Sequence, residues 1–312
     1  MNPSIPYLEP ERLTRLLRPA IALEAVERFF REHGPDQVAV PTRIHMNVPG
    51  VNTLGLYMPA ATGRFVGVKI VHLMPERRPA VEAEIFLYDA ETGKLLFWGD
   101  GKPLTALRTA AVSVAASRKL MTGCDRLMVF GAGVQAASHL EAFASAWPDV
   151  STLLVAARGT GSFERLRALL SPELKERVRL SDNPAADLSG CDCVVATTPA
   201  PEPLFDWAAI PEVCHVVGIG SATPKMNELP PEAFRESAVW VDTEAALTEA
   251  GDCLVARNEG WEPSALKGDL FRLLGRDGPS SPPGGRTLFK SVGHAAQDLA
   301  ILIRLWELMA QD

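Results

Sequence analysis

The apolar positions of this chain change their period along its length, and each period predicts a different kind of element. Over residues 9–32 apolar side chains recur every three or four positions with charges between them, which predicts an N-terminal helical region. Over residues 38–98 short apolar runs are separated by turn signals such as Pro49-Gly50 and Thr92-Gly93, which is typical of β-strands. This first part of the chain therefore predicts an α+β module.

Residues 127–139 form an apolar run that breaks at two glycines and then resumes with helical spacing. Such a strand, tight turn and helix start seats a dinucleotide pyrophosphate. Gly131 permits the turn, Gly133 lets the backbone approach the phosphates, and the first helical residues, Val134 and Gln135, offer unpaired N–H groups to the anion. The pattern favours a nicotinamide or flavin enzyme, or a binding protein descended from one.

Three more apolar runs follow, at residues 152–157, 193–197 and 215–219, with helical or loop segments between them. Alternating short buried strands and helices are what a parallel doubly wound sheet requires. Ligands of such sheets bind beyond the carboxyl ends of the strands, so we expect Thr197, at the end of its run, to line a cofactor crevice.

The last helical pattern, residues 291–310, follows a loop rich in glycine and proline at residues 278–285. We expect this helix to return to the first module and make that module discontinuous. The predicted fold class is α/β, a Rossmann-type doubly wound parallel sheet with a second, discontinuous α+β domain. The predicted boundaries are 120–293 for the dinucleotide domain and 1–119 plus 294–312 for the other.

The composition fits a soluble globular protein of 312 residues, 47% hydrophobic and 22% charged. A net charge of −7 argues against nucleic acid or an anionic membrane as a partner. No apolar run approaches a membrane span and residues 1–10 lack signal-peptide features, so we expect a cytoplasmic protein. The five cysteines include no Cys-x-x-Cys pair, and neither a disulfide framework nor a metal site is predicted.

The second strand of the predicted sheet ends without the acidic residue that usually binds the ribose hydroxyls of NAD. Arg158 and Thr160 follow that strand instead, and a guanidinium with a hydroxyl suits the 2′-phosphate of NADP. The alternative is that Arg158 is simply exposed at a strand end. The sequence favours NADP over NAD as the cofactor.

Several motifs occur in a fixed order along almost the whole chain. They are MPA at residues 58–60, GVK at 67–69, GDGKPLTALRTAAVS at 99–113, GSATPKMNEL at 220–229 and LFKSVG at 288–293. With the glycine turn described above, this order resembles the ornithine cyclodeaminase and mu-crystallin family. The resemblance implies a homodimer, a first domain that supplies substrate and dimer contacts, and a second domain that binds NAD or NADP.

The resemblance also implies that Arg43, Lys69 and Arg108 surround the carboxylate and the reacting carbon of an amino or imino acid. The residue types suit this, since arginine binds a carboxylate through two parallel hydrogen bonds and lysine supplies a point charge or a proton. Lys69 lies inside an apolar run, and a buried lysine needs a reason. Thr109 and Ser291 are expected to contact the cofactor.

Two departures from the family pattern concern acids. Members that eliminate ammonia carry an aspartate in a Gly-Gly-Asp turn and a glutamate two residues before Met-Pro; this chain has Ala222 and Leu56 there. Neither side chain accepts a proton or orients an ammonium. The segment at residues 54–60 looks like the mu-crystallin and ketimine reductase branch.

The expected pocket therefore holds cations and no acid, which suits an imino acid better than a diamino acid. We predict an NAD(P)H-dependent oxidoreductase that reduces a cyclic or linear α-imino acid, of the pyrroline-2-carboxylate or piperideine-2-carboxylate type, to the amino acid. Lys69 is the predicted general acid, with Arg43 and Arg108 on the carboxylate.

Two alternatives stay open. One is an ornithine cyclodeaminase, a lyase that recycles its bound NAD; a carboxylate from elsewhere near the substrate nitrogen, such as Asp252 or Glu228, would favour it. The other is a non-catalytic protein that binds NADPH. The sequence leaves open the substrate side chain and the roles of His45 and His294.

Overall fold

The chain divides into two compact units in the computed structural model, which describes residues 5–78 and 80–311. The first unit runs as far as Thr109 and resumes at His294, and the second is Ala110–Gly293. No helix among the described residues has both the length and the apolar character needed to cross a bilayer.

The first unit is built on a mainly antiparallel sheet. Its strands are β1 (Tyr7–Leu8), β2 (Ile44–Asn47), β3 (Leu54–Thr62), β4 (Phe65–Leu73), β5 (Val81–Asp89) and β6 (Leu95–Asp100). They lie in the order β1-β6-β5-β4-β3-β2, with β1 parallel to β6 and every other pair antiparallel. Buried and half-buried residues alternate along β3 from Tyr57 and along β5 from Glu82, because successive side chains point to opposite faces of a sheet.

Helices cover one face of this sheet. The helices of the unit are α1 (Pro10–Leu16), α2 (Pro19–Glu32), the start of α3 (Gly101–Leu120) and the last helix, α12 (Ala295–Met309). A Cβ added to Gly67 in β4 would stand 2.9 Å from Leu302 and 3.0 Å from Leu299, so glycine is what lets α12 lie this close to the strand. Arg28 in α2 pairs with Glu307 in α12 at 2.6 Å.

The second unit is built on a seven-stranded sheet in which every pair is parallel. Its strands are β7 (Arg126–Phe130), β8 (Thr152–Ala156), β9 (Val178–Leu180), β10 (Cys193–Ala196), β11 (Cys214–Gly218), β12 (Ala238–Val241) and β13 (Arg286–Lys290). They lie in the order β12-β13-β11-β10-β7-β8-β9. All four residues of β10 are buried, as expected where helices cover both faces.

Helices alternate with these strands. They are α4 (Val134–Ala146), α5 (Thr160–Leu169), α6 (Pro172–Arg177), α7 (Pro184–Leu188), α8 (Glu232–Arg235), α9 (Ala246–Glu249), α10 (Gly251–Asn258) and α11 (Leu270–Leu274). The strand order reverses between β7 and β10, and a crevice for ligands lies at such a switch point. The predicted fold class, a Rossmann-type sheet with a discontinuous α+β domain, is confirmed.

The prediction of a helix from residue 291 is wrong at its start, because α12 begins at Ala295. The carboxylate of Asp242 accepts hydrogen bonds from the Ser291 hydroxyl and the Gly293 amide, each at 2.7 Å. Gly293 also has a positive φ of 86°, which glycine adopts without strain. These bonds hold residues 291–293 as a turn ahead of the helix.

Candidate active site

The three basic residues singled out from the sequence all belong to the first unit, and two of them are buried together. Lys69 stands in the middle of β4, opposite Met58 of β3 and Ile85 of β5, and is only 1% exposed. Arg108 lies in α3 and is 4% exposed. Arg43 precedes β2, is half-buried, and lies near enough for its charge to lower the pKa of Lys69.

A carboxylate that the sequence analysis did not anticipate joins these cations. Asp298 of α12 is buried, and its Oδ1 lies 2.8 Å from Lys69 Nζ and 3.0 Å from Arg108 Nε. Arg108 also donates through Nη1 to the side-chain oxygen of Gln297. The expectation of a pocket without an acid is therefore wrong, since the acid comes from the last helix and not from the positions of Ala222 and Leu56.

The charges of this group settle the ionisation of its members. The pKa of Lys69 is lowered to about 8: burial is the largest cause, the charges of Arg108 and Arg43 act in the same direction, and Asp298 opposes the shift. Burial alone would raise the pKa of Asp298, but the charges of Arg108 and Lys69 outweigh burial and hold that pKa below its usual value. Asp298 is thus an ion at neutral pH, and three cations with one carboxylate leave two net positive charges.

One oxygen of this carboxylate is left unpaired by the described residues. Both ion-pair distances end on Oδ1, whereas Oδ2 is buried and has no hydrogen-bond partner among the residues that the structure describes. A buried polar atom normally has a partner, so an unpaired carboxylate oxygen beside two cations marks a place for a donor.

The glycine turn of the second unit has the shape of a phosphate cradle. Gly131 follows β7 with a φ of +118°, and a Cβ there would stand 2.5 Å from Thr197 Oγ1, which itself donates to Phe130 O at 2.8 Å. Open space surrounds Gly133, which precedes α4, and Val134, the first helical residue, is 59% exposed. The N–H groups at this helix start are accessible, and the turn fits a dinucleotide pyrophosphate.

Gln135, also at the start of α4, carries a buried side-chain oxygen without a hydrogen-bond partner among the described residues.

The segment after β8 carries the residues predicted from the sequence to bind the ribose end of the cofactor. Ala157 stands at the strand end, Arg158 is exposed, and Thr160 is the first residue of α5.

Two hydroxyls expected at the cofactor already bond to the protein. Ser291 donates to Asp242, and Thr109 Oγ1 donates to Thr105 O at 2.7 Å. A hydroxyl that donates in this way still offers lone pairs, so cofactor contact by Thr109 and Ser291 stays a prediction. His45 is exposed in β2, opposite Leu56, and His294 is the N-cap residue of α12.

The acids considered for a lyase have a different task in the second unit. Lys290 Nζ lies 3.1 Å from Asp252 Oδ2 and 4.0 Å from Glu228 Oε1, and all three side chains are buried. Glu228 accepts hydrogen bonds from the amides of Gly220 at 2.6 Å and Thr198 at 2.8 Å. Burial raises the pKa of Glu228 to about 7, against the lowering effect of Lys290. These carboxylates hold loops at the strand ends.

Comparison with known proteins places the chain in one family. Residues 11–311 match the model of the Ornithine cyclodeaminase/mu-crystallin family. The chain belongs to this family. The predicted resemblance is thereby confirmed.

Proteins named as reductases are similar to this chain over most of its length. Identity is 30% to Delta(1)-pyrroline-2-carboxylate reductase 2 of Burkholderia ambifaria, covering 95% of this chain and 93% of that protein. It is 32% to the ketimine reductase mu-crystallin of Mus musculus, covering 71% and 67%. The solved structure of Thermococcus litoralis Delta(1)-pyrroline-2-carboxylate reductase, in complex with NADH and L-proline, matches with a TM-score of 0.87 and 28% identity, covering 98% and 97%.

Proposed function

We propose that this protein is an NAD(P)H-dependent oxidoreductase that reduces a small α-imino acid to the amino acid, of the pyrroline-2-carboxylate or piperideine-2-carboxylate type. The observation that carries the proposal is the buried group of Lys69, Arg108 and Asp298, with Arg43 beside it and two net positive charges. Such a site attracts a carboxylate and repels a second cation. The Burkholderia ambifaria and Mus musculus relatives are named as a pyrroline-2-carboxylate reductase and a ketimine reductase.

Each side chain of the group has a task in this reaction. Arg108 and Arg43 bind the substrate carboxylate, since guanidinium groups pair with both of its oxygens. Lys69 donates a proton to the imine nitrogen, and a pKa of about 8 keeps it protonated at neutral pH and a stronger acid than an ordinary lysine. The bound cofactor supplies the hydride that adds to the imine carbon. One hydride and one proton convert the C=N bond into the C–N bond of the amino acid.

NADP is the cofactor that we propose in preference to NAD. Arg158 is exposed between β8 and α5, Thr160 opens that helix, and Ala157 leaves room where an acid would repel a phosphate. The Thermococcus litoralis relative holds NADH, so the choice rests on this turn alone. Dissociation constants of NADPH and NADH, measured by fluorescence titration, test it.

The ornithine cyclodeaminase alternative gains one supporting observation, the carboxylate of Asp298. Elimination of ammonia uses an acidic group at the substrate amine, and Asp298 is buried beside the cations. Its depressed pKa, however, keeps it from taking up a proton near neutral pH. We therefore place the lyase second to the reductase.

The proposal is tested by following NADPH absorbance with pyrroline-2-carboxylate and piperideine-2-carboxylate, and ammonia release from ornithine in parallel. Loss of absorbance with either imine supports the reductase. Ammonia and proline from ornithine without imine reduction would establish the lyase, and NADPH binding with neither reaction would establish a binding protein.

We also propose that the protein is a homodimer joined through the sheet of the first unit. The face turned away from α12 carries exposed apolar side chains, namely Ile44 and Met46 of β2, Trp98 of β6 and Tyr7 of β1. The rings of Tyr7 and Trp98 lie 4.6 Å apart at one edge of the sheet, and Phe86 of β5 stacks on Trp98 at 6.3 Å. Half-buried Ile70 of β4 and Tyr57 of β3 lie on the same face between these rings and β2. A contiguous apolar patch of this kind on a sheet face is suited to a second copy of the chain.

A further inference from the structure

Asp298 Oδ2 is a buried oxygen without a hydrogen-bond partner among the residues that the structure describes. Asp298 lies in the first turn of α12, where the helix N-terminus favours a negative charge. Lys69 and Arg108 both approach Oδ1, which leaves Oδ2 with its full capacity to accept a hydrogen bond. The side chain is only 2% exposed, so Oδ2 is shielded from bulk water and is unfavourable there without a donor.

The chemistry of Oδ2 limits what can lie against it. An ionised carboxylate accepts hydrogen bonds and donates none, and the low pKa of Asp298 keeps it ionised. A substrate N–H pointing at Oδ2 gains a charge-assisted hydrogen bond, whereas a carbonyl or ether oxygen there can accept from Lys69 but leaves Oδ2 unpaired.

We propose that Asp298 Oδ2 accepts a hydrogen bond from the N–H of the protonated imine and of the amine product, and so selects imino acids over 2-oxo acids. This inference rests on the proposed function, and it names the atom that distinguishes nitrogen from oxygen at the reacting carbon. Lys69 Nζ, 2.8 Å from Oδ1 of the same carboxylate, delivers the proton, and the N–H that this proton makes is shared between Nζ and Oδ2. Asp298 accepts a hydrogen bond and no proton, so its charge does not change during the reaction.

The experiment compares two inert planar acids that differ at one ring atom. Pyrrole-2-carboxylate has an N–H next to the carbon that bears the carboxylate, and furan-2-carboxylate has an oxygen there. Binding of each to the protein saturated with NADP⁺ is measured by calorimetry. We expect pyrrole-2-carboxylate to bind about tenfold or more tightly, the size of a hydrogen bond to a charged group.

The variant Asp298→Asn removes the charge with little change of volume. Its amide oxygen remains next to Lys69 and Arg108, so its NH₂ group occupies the place of Oδ2 and faces the ligand. We expect the preference for pyrrole-2-carboxylate to vanish or invert. The matched control is Asp89→Asn, the same change in the same unit at a carboxylate that binds Thr92 and Arg64 in a turn; it keeps the wild-type preference.

Equal affinity of the wild-type protein for the two acids overturns the proposal without any variant, so the test does not depend on Asp298→Asn folding. An undiminished preference in Asp298→Asn overturns it as well. Because these acids do not react, the outcome is independent of turnover. A preference for the N–H without reduction of pyrroline-2-carboxylate supports the role of Asp298 and contradicts the reductase, whereas reduction without preference contradicts only the role of Asp298.

Discussion

The protonation of Lys69 depends on a balance between burial and the charges around it. Burial and two guanidinium groups lower its pKa, and Asp298 opposes them, which leaves a value of about 8. A lysine whose pKa lies this close to physiological pH can both hold and release a proton, which is what a general acid does. The same balance makes the pKa of Lys69 sensitive to substitutions of Arg108, Asp298 and Arg43.

Replacing Lys69 by Met tests its role as the general acid. The apolar side chain keeps the volume and leaves Asp298 paired with Arg108, so we expect NADPH binding to persist while turnover of the imine falls about 100-fold or more. Initial rates and NADPH titration measure the two effects. Lys102→Met, a change at an exposed lysine of the same unit, is the control, and full turnover by Lys69→Met would exclude the proposed role.

The pH dependence of imine reduction follows from the ionisation of Lys69. The rate depends on the protonated form, so we expect kcat/KM to fall as the pH rises through about 8. Asp298→Asn removes the negative charge that favours the ammonium, and the midpoint should move to lower pH. Rate profiles for both proteins check this, with Asp89→Asn as the control. A midpoint that stays in place or rises would contradict the pairing.

The residues of the site were predicted unevenly, and Asp298 shows why. Arg43, Lys69 and Arg108 followed from motif resemblance. Asp298 was missed because it lies in the strongly apolar segment AAQDLAILI, where the pattern alone reports a buried helix. The polar pair Gln297-Asp298 within that apolar segment could have indicated the site, because polar side chains on the buried face of a helix need hydrogen-bond partners.

Among the elements, the turn from β7 to α4 depends on two glycines for different reasons. Gly131 has a positive φ and no space for a side chain, so Gly131→Ala should destabilise the fold by about 1 kcal/mol or more. Gly133 is extended with open space around it, so Gly133→Ala should keep its melting temperature and lose affinity for NADPH by obstructing the phosphates. Thermal unfolding and NADPH titration of both variants separate the two effects. Unchanged NADPH affinity in Gly133→Ala would argue against this cradle.

The turn from β8 to α5 is expected to decide between the two nicotinamide cofactors. Arg158→Glu replaces the proposed phosphate-binding cation by an anion, so we expect the affinity for NADPH to fall about tenfold or more and that for NADH to change little. Arg257→Glu in α10, which follows β12 at the other edge of the sheet, is the matched control. Equal losses for both cofactors would show that Arg158 does not bind the 2′-phosphate.

The pattern predicted some strands and missed others. β7, β8, β10 and β11 are continuous apolar runs and were found. β12 and β13 were not recognised: β12 has only four residues, and β13 begins and ends with Arg286 and Lys290 although it lies between two other strands. Lys290 is buried there because Asp252 and Glu228 neutralise it, a long-range pairing that a local pattern does not contain.

At the scale of the whole molecule, the exposed sheet face predicts the oligomeric state. Light scattering should give about twice the 33.7 kDa of one chain. A charge buried within an apolar interface is costly, so Trp98→Glu should shift the protein to monomer. Leu169→Glu, at an exposed leucine of the second unit, is the control. A monomeric wild type, or a dimer undisturbed by Trp98→Glu, would argue against this interface.

The buried trio of Lys290, Glu228 and Asp252 has a consequence for how a nucleotide enters. Glu228 binds the amides that follow β10 and β11 and lies 4.0 Å from the ammonium that ends β13. One carboxylate thereby holds the carboxyl ends of three neighbouring strands together through contacts within the protein. The rim of the sheet is consequently rigid before a nucleotide arrives, and little chain entropy is lost on docking. A preformed rim of this kind should raise the affinity for the dinucleotide, because little free energy is lost in ordering the chain around it.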